Sequence, residues 1–198
     1  MSSKTVLLDY GMGNLRSVEN ACRKLGHEVV IQSDLSGAER LILPGVGAFG
    51  QAMNHLSGLK SDLQAFAKSG QPLLGICLGQ QLLLDTSEEF GAHSGLEIIP
   101  GKVQYFPKTP GVKIPQMGWN RLDSVPGKFT ETTGSEEVYF VHSLYTEVED
   151  ESHVAAWTNY GIRFASALQM GNVWATQFHP EKSGEAGLRL LERFLTCS

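Results

Sequence analysis

The sequence predicts an α/β fold: a mixed, mainly parallel central sheet flanked by helices and extended by antiparallel strands. Up to about residue 90, short apolar runs suited to buried strands alternate with segments suited to amphipathic helices. From Gly91 to about Phe164 the pattern changes to strand-like stretches separated by turn residues. Parallel strands need helical crossovers and antiparallel strands can be joined by turns, so the first pattern predicts the core and the second its extension.

Length and composition limit the possible classes of protein. The 198 residues are enough for one full core and contain no Pro/Gly/Ser-rich linker, so we expect residues 1–198 to form a single domain. Sixteen basic against 21 acidic residues give a net charge of −5 without a basic block, which makes a nucleic-acid partner unexpected. No signal peptide or membrane span is apparent, which predicts a cytoplasmic location.

Cysteine usage supports the same expectation. Three cysteines are odd in number and widely scattered, at Cys22, Cys77 and Cys197. This spacing suits neither a disulfide framework nor a clustered metal site and agrees with a reducing compartment. We therefore expect neither a metal nor another cofactor.

The first elements of the chain are short. Strands are predicted over residues 5–8, 27–31 and 40–43. A helix is predicted after Asn14 up to about Leu25, with Gly26 as its C-cap. The intervening Gly11-Met12-Gly13 lacks the third glycine and the downstream acid of a dinucleotide fingerprint, so it predicts a tight turn rather than a nucleotide site.

Residues 72–84 form the most informative stretch. They predict a buried strand, a sharp turn and a helix, with Cys77 at the apex between Gly75 and Gly79. Gly-x-Cys-x-Gly is a cysteine version of the nucleophile elbow, whose strained turn projects the side chain and needs glycines where backbones cross. A helix N-terminus behind the cysteine would favour a thiolate. Taken alone, the pentapeptide is equally compatible with a small, packed apolar residue.

A glycine-rich loop, residues 44–50, follows the third predicted strand. Such a loop can turn backbone N–H groups towards an anion, either a phosphate or the transient oxyanion of acyl transfer. The loop lacks the Gly-Lys-Ser/Thr ending of a phosphate loop. Because this loop and the elbow at Cys77 would both lie at the carboxyl edge of a parallel sheet, the oxyanion role is favoured over a plain turn.

Near the C-terminus, His179 and Glu181 are two residues apart. In extended chain both would point to the same side, so that the carboxylate fixes the imidazole, while Pro180 between them stiffens the segment. A His-x-Glu pair arises often by chance. Combined with the cysteine elbow and the glycine loop, it makes a complete set for thiol-based acyl transfer. A closing helix follows, with one apolar face that comprises Leu188, Leu191, Phe194 and Leu195.

Strands in the second half are predicted over residues 95–103, 113–120 and 138–143. Met117 and Trp119 either lie in the core on one strand face or form an exposed apolar patch for a partner. His142 follows Tyr-Phe-Val, a setting more typical of a hydrogen-bonded core histidine than of a catalyst.

Together, residues 44–47, 75–79 and 179–181 resemble the class I glutamine amidotransferase family, which has a flavodoxin-like fold. Within that family, further motifs resemble the glutaminase subunits of imidazole glycerol phosphate synthases; these are residues 9–15, 115–120, 139–143 and 179–183. The match runs from about Leu7 to the closing helix. The chain departs from the usual family residues at Gln80 (Met), Gln116 (His) and Leu144 (Tyr), and none of these departures removes a catalytic group.

The resemblance implies a role for each matching residue. The catalytic triad would be Cys77, His179 and Glu181. The oxyanion hole would involve Gly45, Val46, Gly47 and Leu78. Glutamine would be held by Gly47, Gln81, Glu89 and Ser143. The partner interface would include Asn14, Met117, Trp119 and Lys182.

The resemblance also implies a reaction and a partner. Glutamine would be hydrolysed to glutamate and ammonia through a thioester on Cys77. The ammonia would pass to a (β/α)₈-barrel cyclase subunit, which makes imidazole glycerol phosphate and an aminoimidazole carboxamide ribotide in histidine biosynthesis. Ligand bound to that partner would switch the loop around Gly45 and Val46 into its active form.

Three alternatives to this assignment remain open from the sequence. One is a glutaminase that serves another ammonia acceptor. Another is a cysteine peptidase or γ-glutamyl hydrolase, because the same triad cleaves other amides. The third is a binding module of the same doubly wound fold, in which Cys77 is a redox sensor or merely packed.

Overall fold

A computed structural model of the chain describes residues 4–131 and 136–197. Five α-helices lie in these ranges: α1 Leu15–Lys24, α2 Phe49–His55, α3 Lys60–Lys68, α4 Leu78–Leu82 and α5 Gly184–Thr196. Two single-turn 3₁₀ helices cover Glu151–His153 and Pro180–Lys182. None of the helices in the described ranges combines the length and the apolar character needed to cross a bilayer.

Strands make up most of the remaining ordered elements. They are β1 Thr5–Leu8, β2 Val29–Gln32, β3 Arg40–Leu43, β4 Leu73–Ile76, β5 Thr86–Ser87, β6 His93–Ser94, β7 Gly101–Tyr105, β8 Gln116–Ser124, β9 Glu136–His142, β10 Leu144–Val148, β11 Val154–Tyr160, β12 Ile162–Met170 and β13 Val173–Thr176.

The sheet confirms the predicted fold class. Its main path runs β2-β1-β3-β4-β13-β12-β10-β7-β5-β6, and β11 leads from β12 to β8 and β9. All neighbours from β2 to β13 are parallel, whereas β12 runs antiparallel to β13, β11 and β10. The last strand, β13, therefore returns to the centre of the sheet and lies beside β4, which leads into Cys77.

Both faces of the parallel core are covered, and this explains the uninterrupted apolar runs. Leu7, Ile42 and Leu74 pack on one face with residues of α1 and α5. Their sequence neighbours, such as Leu8 and Leu43, point to the other face and pack with α2 and α3. Fully burying each such side chain contributes about 1.5–3 kcal/mol relative to leaving it exposed.

The antiparallel extension has an aromatic core of its own. Phe106, Phe140, Phe164 and Phe178 lie in it with ring-centroid distances of 5.4–6.0 Å for the neighbouring pairs. Phe178 is fully buried there, just after the end of β13. Because neighbouring side chains of extended chain point to opposite sides, this anchor turns Gln177 and His179 the other way.

Several predicted strand limits were wrong. The strand predicted over 95–103 is confined to β7, because residues 95–100 form a loop bonded to the end of α4. In this loop the N–H groups of Leu96 and Ile98 donate to the carbonyls of Leu82 and Leu83 at 2.8 and 2.9 Å. Those carbonyls lack intrahelical partners, so the apolar loop serves the helix end rather than the sheet. The strands predicted over 27–31 and 113–120 begin later, at Val29 and Gln116.

Candidate active site

Cys77 occupies the turn between β4 and α4. Its backbone has φ 56° and ψ −108°, a sparsely populated conformation for a residue with a side chain. The surrounding sheet holds this strain, since the Cys77 N–H donates to the Thr176 carbonyl at 2.7 Å. The turn therefore has the backbone geometry expected of a nucleophile elbow.

The two glycines beside Cys77 are required by close packing. A Cβ on Gly79 would lie 2.0 Å from the carbonyl oxygen of Leu43, in the neighbouring strand. A Cβ on Gly75 would lie 2.8 Å from the backbone of Gly79 itself. The elbow thus folds back on β4 and presses against β3, which only residues without a side chain permit.

The glycine loop after β3 lies against the elbow, as the parallel pairing of β3 and β4 requires. A Cβ on Gly45 would lie 2.8 Å from the Cβ of Leu78 and 2.7 Å from the Tyr10 hydroxyl oxygen. Gly47 adopts φ +105°. The Tyr10 hydroxyl donates to the carbonyl of Pro44 at 2.8 Å and ties this loop to the loop after β1.

His179 and Glu181 follow β13. Nδ1 of His179 and Oε1 of Glu181 are 2.8 Å apart, and both side chains are almost fully buried. The prediction of an extended segment here was wrong, because Pro180–Lys182 is a 3₁₀ turn with His179 as its N-cap. The fixed φ of Pro180 suits the first position of such a turn, which brings the carboxylate back towards the imidazole.

The charge state of His179 reflects two opposing effects. Burial disfavours the charged imidazole, but interactions with Cys77 and then with Glu181 outweigh it and raise the pKa of His179 from 6.5 to about 9. Within the described residues, Nε2 of His179 and Oε2 of Glu181 have no hydrogen-bond partner. Nε2 is therefore available to exchange a proton with the thiol.

A cavity of about 380 Å³ opens at this site. It is lined by Val46, Gly47, Cys77, Leu78, Gln81, Glu89, Pro115, Val141, His142, Ser143, Leu144 and His179. Of the residues predicted for chemistry and glutamine contacts, only Gly45 and Glu181 are outside this lining. Gly45 belongs to the same loop but packs against Leu78 and Tyr10, and Glu181 bonds the far nitrogen of the His179 ring. The volume suits one small molecule such as a free amino acid.

In two of the lining residues, Glu89 and Gln81, one polar side-chain atom is already hydrogen-bonded within the protein. Oε2 of Glu89 accepts a hydrogen bond from the Phe49 N–H at 2.5 Å, at the start of α2. Nε2 of Gln81 donates to Oε1 of Gln177 at 2.9 Å. The remaining oxygens, Oε1 of each residue, are the atoms left to bind a ligand.

His142 is a core histidine that also lines the cavity. Its Nδ1 lies 2.6 Å from the Leu144 carbonyl and its Nε2 lies 3.0 Å from the side-chain amide of Gln116. Burial, partly offset by the hydrogen bond to Leu144, lowers the pKa of His142 to about 4. It is therefore neutral near pH 7, with Nδ1 donating to the Leu144 carbonyl. The atom of Gln116 placed 3.0 Å from Nε2 is Oε1, and turning this amide over would instead present its NH₂ to Nε2.

The departures from the family pattern are accommodated inside the molecule. Gln116 is almost fully buried on the inner face of β8 and does not contribute to the outer surface. Gln80 is also fully buried, and its Nε2 donates to Oγ1 of Thr146 at 2.9 Å.

The residues predicted for a partner interface are exposed. Met117 and Trp119 are 64% and 56% exposed on one face of β8, so the core alternative for these two side chains was wrong. A Cβ on Gly184 would lie 3.9 Å from the Trp119 ring, which places Trp119 beside the turn that carries Lys182. Asn14 is exposed at the start of α1, and α1 packs against the same turn.

Sequence reasoning missed Gln177, whose Nε2 lies 3.8 Å from Sγ of Cys77. Its position two residues before His179 was the signal that could have identified it. Tyr10 and Val141 were missed as well, and only tertiary contacts bring them to the site. Among the described residues, no group of three or more His, Cys, Asp or Glu side chains is placed to hold a metal ion.

The family model and the similar proteins agree on one family. The model of the family "Glutamine amidotransferase class-I" matches residues 6–197. The chain is 49% identical to "Imidazole glycerol phosphate synthase subunit HisH" of Methanothermobacter thermautotrophicus, over 96% of each chain. It is 48% identical to the HisH subunit of Syntrophotalea carbinolica, over 96% of this chain and 98% of that one.

Longer and more distant proteins also match. "Imidazole glycerol phosphate synthase hisHF, chloroplastic" of Arabidopsis thaliana is 46% identical over 98% of this chain and 34% of its own length. Among solved structures, PurLQS from Thermotoga maritima superposes with a TM-score of 0.76 at 18% identity, covering 98% of both chains. A glutamine amidotransferase crystal structure gives 0.75 at 21% identity, covering 96% of this chain and 97% of that one. These two structural matches support the fold alone.

Proposed function

Because the chain belongs to the class I glutamine amidotransferase family, we propose that it is the glutaminase subunit of an imidazole glycerol phosphate synthase. The observation that carries the chemistry is the shared cavity, in which a strained Cys77 faces a histidine held by a buried carboxylate. The assignment to this particular synthase is based on the HisH relatives, which match over nearly their whole length.

The reaction begins when Cys77, as a thiolate, attacks the side-chain amide carbon of glutamine. His179 accepts the thiol proton at Nε2 and returns it to the departing nitrogen, so that ammonia leaves and a glutamyl thioester remains. Glu181 accepts from Nδ1, fixes the tautomer that presents Nε2 to the thiol, and stabilises the imidazolium. Water then hydrolyses the thioester to glutamate, with His179 again moving the proton.

The tetrahedral intermediate carries a negative oxygen that needs donors. As the first residue of α4, Leu78 has an N–H without an intrahelical acceptor. A second N–H comes from the loop of Gly45, Val46 and Gly47, which packs directly against Leu78. Losing one such donor typically lowers the rate by about two to three orders of magnitude.

Glutamine is held by residues around the same cavity. Glu89, Gln81 and Ser143 line it together with the backbone of Gly47. Glu89 offers a carboxylate oxygen to the α-ammonium group of the substrate. Charge-assisted bonds of this kind are the stronger ones in a partly buried site.

A glutaminase acting alone would waste glutamine, so the ammonia needs a recipient. We propose a (β/α)₈-barrel cyclase as that partner, docked on the face formed by Asn14, Met117, Trp119 and Lys182. The plant hisHF protein matches over only 34% of its length, which leaves room for a fused cyclase. A methionine and an aromatic side chain exposed on one face suit an interface.

Partner ligand would control the reaction through the oxyanion loop. Val46 and Gly47 line the cavity while Val46 remains partly exposed, so the loop connects the site to the surface. We also propose that residues 1–198 form one glutaminase domain, because one continuous sheet carries every predicted site residue or its supporting loop.

The decisive experiment combines the chain with a histidine-pathway cyclase and its phosphorylated ribulosyl substrate. We expect glutamine-dependent synthesis of imidazole glycerol phosphate and release of glutamate. Cys77→Ala should abolish both, whereas the same complex supplied with ammonium should still make product. Product formation only with a different ammonia acceptor would keep the glutaminase and refute the assigned synthase.

The same assay tests the control by the partner. Glutamate release should be slow for the isolated chain and should rise when cyclase and its ligand are added. An isolated chain as fast as the liganded complex would refute gating of the loop. Turnover of peptides without trapping of Cys77 by a glutamine-analogue electrophile would instead support a peptidase.

A further inference from the structure

A buried glutamine contacts the nucleophile from the side opposite the oxyanion loop. Gln177 follows β13, whose parallel register with β4 pairs Thr176 with Ile76 and so brings Gln177 beside Cys77. Its side chain is fully buried, and its Nε2 lies 3.8 Å from Sγ. The mechanism described above assigns this amide no role.

The orientation of the Gln177 amide is fixed by its neighbours. Nε2 of Gln81 lies 3.4 Å from the carbonyl oxygen of Leu144 and 2.9 Å from Oε1 of Gln177. A carbonyl only accepts hydrogen bonds, so the Gln81 atom beside Leu144 must be its NH₂ nitrogen. The two hydrogens of that nitrogen serve Leu144 and Gln177, which requires Gln177 to present its oxygen to Gln81 and its NH₂ to Sγ.

Besides His179, Sγ therefore has two polar neighbours with different preferences. The Val141 carbonyl, 3.9 Å away, can accept a hydrogen bond from the thiol but would repel a thiolate. The Gln177 NH₂ offers a donor, which favours the thiolate because hydrogen bonds to a charged group are stronger than those to a neutral one. The two contacts together favour reorientation of Sγ when it ionises.

We propose that Gln177 is a positioning residue with two functions: it donates a hydrogen bond to the Cys77 thiolate, and it holds the Gln81 amide with Oε1 towards the substrate. This inference rests on the proposed function, since it deepens the account of the same site. An acceptor oxygen on Gln81 suits the α-ammonium group of an amino acid, to which Glu89, another residue of the cavity lining, offers its carboxylate.

Other ionisable groups lie around the site of Cys77 and must be held constant. His179 and Glu181 follow β13, His142 ends β9, Tyr10 follows β1, and Glu89 lies beyond β5. Gln177 is uncharged, so Gln177→Met alters a hydrogen bond without adding or removing one of these charges, whereas Gln177→Glu adds a carboxylate beside Sγ.

The test measures the reaction of Cys77 with iodoacetamide as a function of pH, on the full chain in complex with the cyclase. Gln177→Met keeps the size of the side chain and removes both the donor to Sγ and the acceptor for Gln81. Gln177→Glu removes the donor and keeps an acceptor for Gln81. Gln80→Met is the matched control, because Gln80 is an equally buried amide, lies next to Gln81 on α4, and bonds Thr146 rather than Cys77.

For Gln177→Met we expect the midpoint of the alkylation profile to move up by about one pH unit, a tenfold lower rate near neutral pH. Gln177→Glu should move the midpoint further in the same direction, because its carboxylate also repels the thiolate. Gln177→Met should in addition raise KM for glutamine by roughly tenfold, while Gln177→Glu should change KM much less. Gln80→Met should leave the alkylation profile and both kinetic constants unchanged.

A merely structural role for Gln177 would lower thermal stability without moving the alkylation midpoint of the folded protein. That result with either variant would overturn the proposal, and it can be read from Gln177→Glu even if Gln177→Met fails to fold. An equal shift in Gln80→Met would overturn it as well. A wild-type complex that releases no glutamate would refute the proposed function. Because alkylation does not require glutamine, the alkylation profiles would still test the role of Gln177.

Discussion

Replacing Glu181 by glutamine should separate activity from stability. The change keeps the shape of the side chain but removes the charge that lies 2.8 Å from Nδ1 of His179. The amide can also turn its NH₂ towards the ring, which favours the wrong tautomer of His179. We therefore expect a large loss of kcat in a chain that still folds.

The pKa of His179 gives the size of the effect. A rise from 6.5 to about 9 corresponds to about 3 kcal/mol in favour of the charged imidazole. Burial opposes this rise, so Cys77 and Glu181 together supply more than that net amount. If Glu181 supplies half, its charge stabilises the imidazolium by about 2 kcal/mol, and kcat should fall at least roughly thirtyfold.

The pH dependence of stability follows from the same raised pKa. A histidine whose pKa is higher in the folded state contributes stability that is fully present below pH 6.5 and is lost as the pH rises through about 9. The variant lacks most of the Glu181 share of this contribution. The difference in free energy of unfolding, variant minus wild type, should therefore rise by about 2 kcal/mol as the pH increases from 6.5 to 9.

Two measurements check this prediction: glutamate release by the liganded complex, and urea unfolding of the chain at pH 6.5 and 9. Glu185→Gln is the control, since this carboxylate is 93% exposed and lies on the neighbouring helix α5. A kcat within threefold of wild type would refute the orienting role of Glu181. A stability difference that does not change with pH would refute the electrostatic argument.

Three further predictions concern the elbow, the partner face and the substrate. Gly79→Ala should destabilise the chain by about 3 kcal/mol or more, because the new Cβ would lie 2.0 Å from the Leu43 carbonyl oxygen. Gly58→Ala, with nothing within 4 Å, is its control, and equal urea midpoints for the two variants would contradict the packing argument. Trp119→Ala should raise the dissociation constant for the cyclase by roughly 10- to 100-fold without changing thermal stability; titration calorimetry that gives wild-type affinity would exclude Trp119 from the interface. Glu89→Gln should raise KM for glutamine roughly tenfold or more with a smaller effect on kcat, and initial-rate kinetics with an unchanged KM would remove its role at the α-ammonium.

Some features could be predicted from the sequence because local rules determine them. The apolar run before Cys77 predicted a strand covered on both faces, and the flanking glycines predicted an elbow. The structure confirms the fold class and the parallel order of the core strands. The strand predicted over residues 95–103 failed because an apolar stretch is equally suited to capping a helix end, and a local pattern does not record which carbonyls lack a partner.

The sequence by itself determined which residue types are available for chemistry and the order in which they occur: a cysteine between glycines, a glycine loop and a His-Pro-Glu segment. Tertiary structure alone decided how they meet. The return of β13 beside β4 places His179 and Gln177 next to Cys77, although about a hundred residues separate them in the chain. It also decided that Gln116 points inwards while Met117 points outwards, because the two sides of a strand differ only in what covers them. The nucleophile is therefore encoded locally. Its base, His179, its neighbouring amide, Gln177, and the exposed face of β8 arise from the order of strands in the sheet.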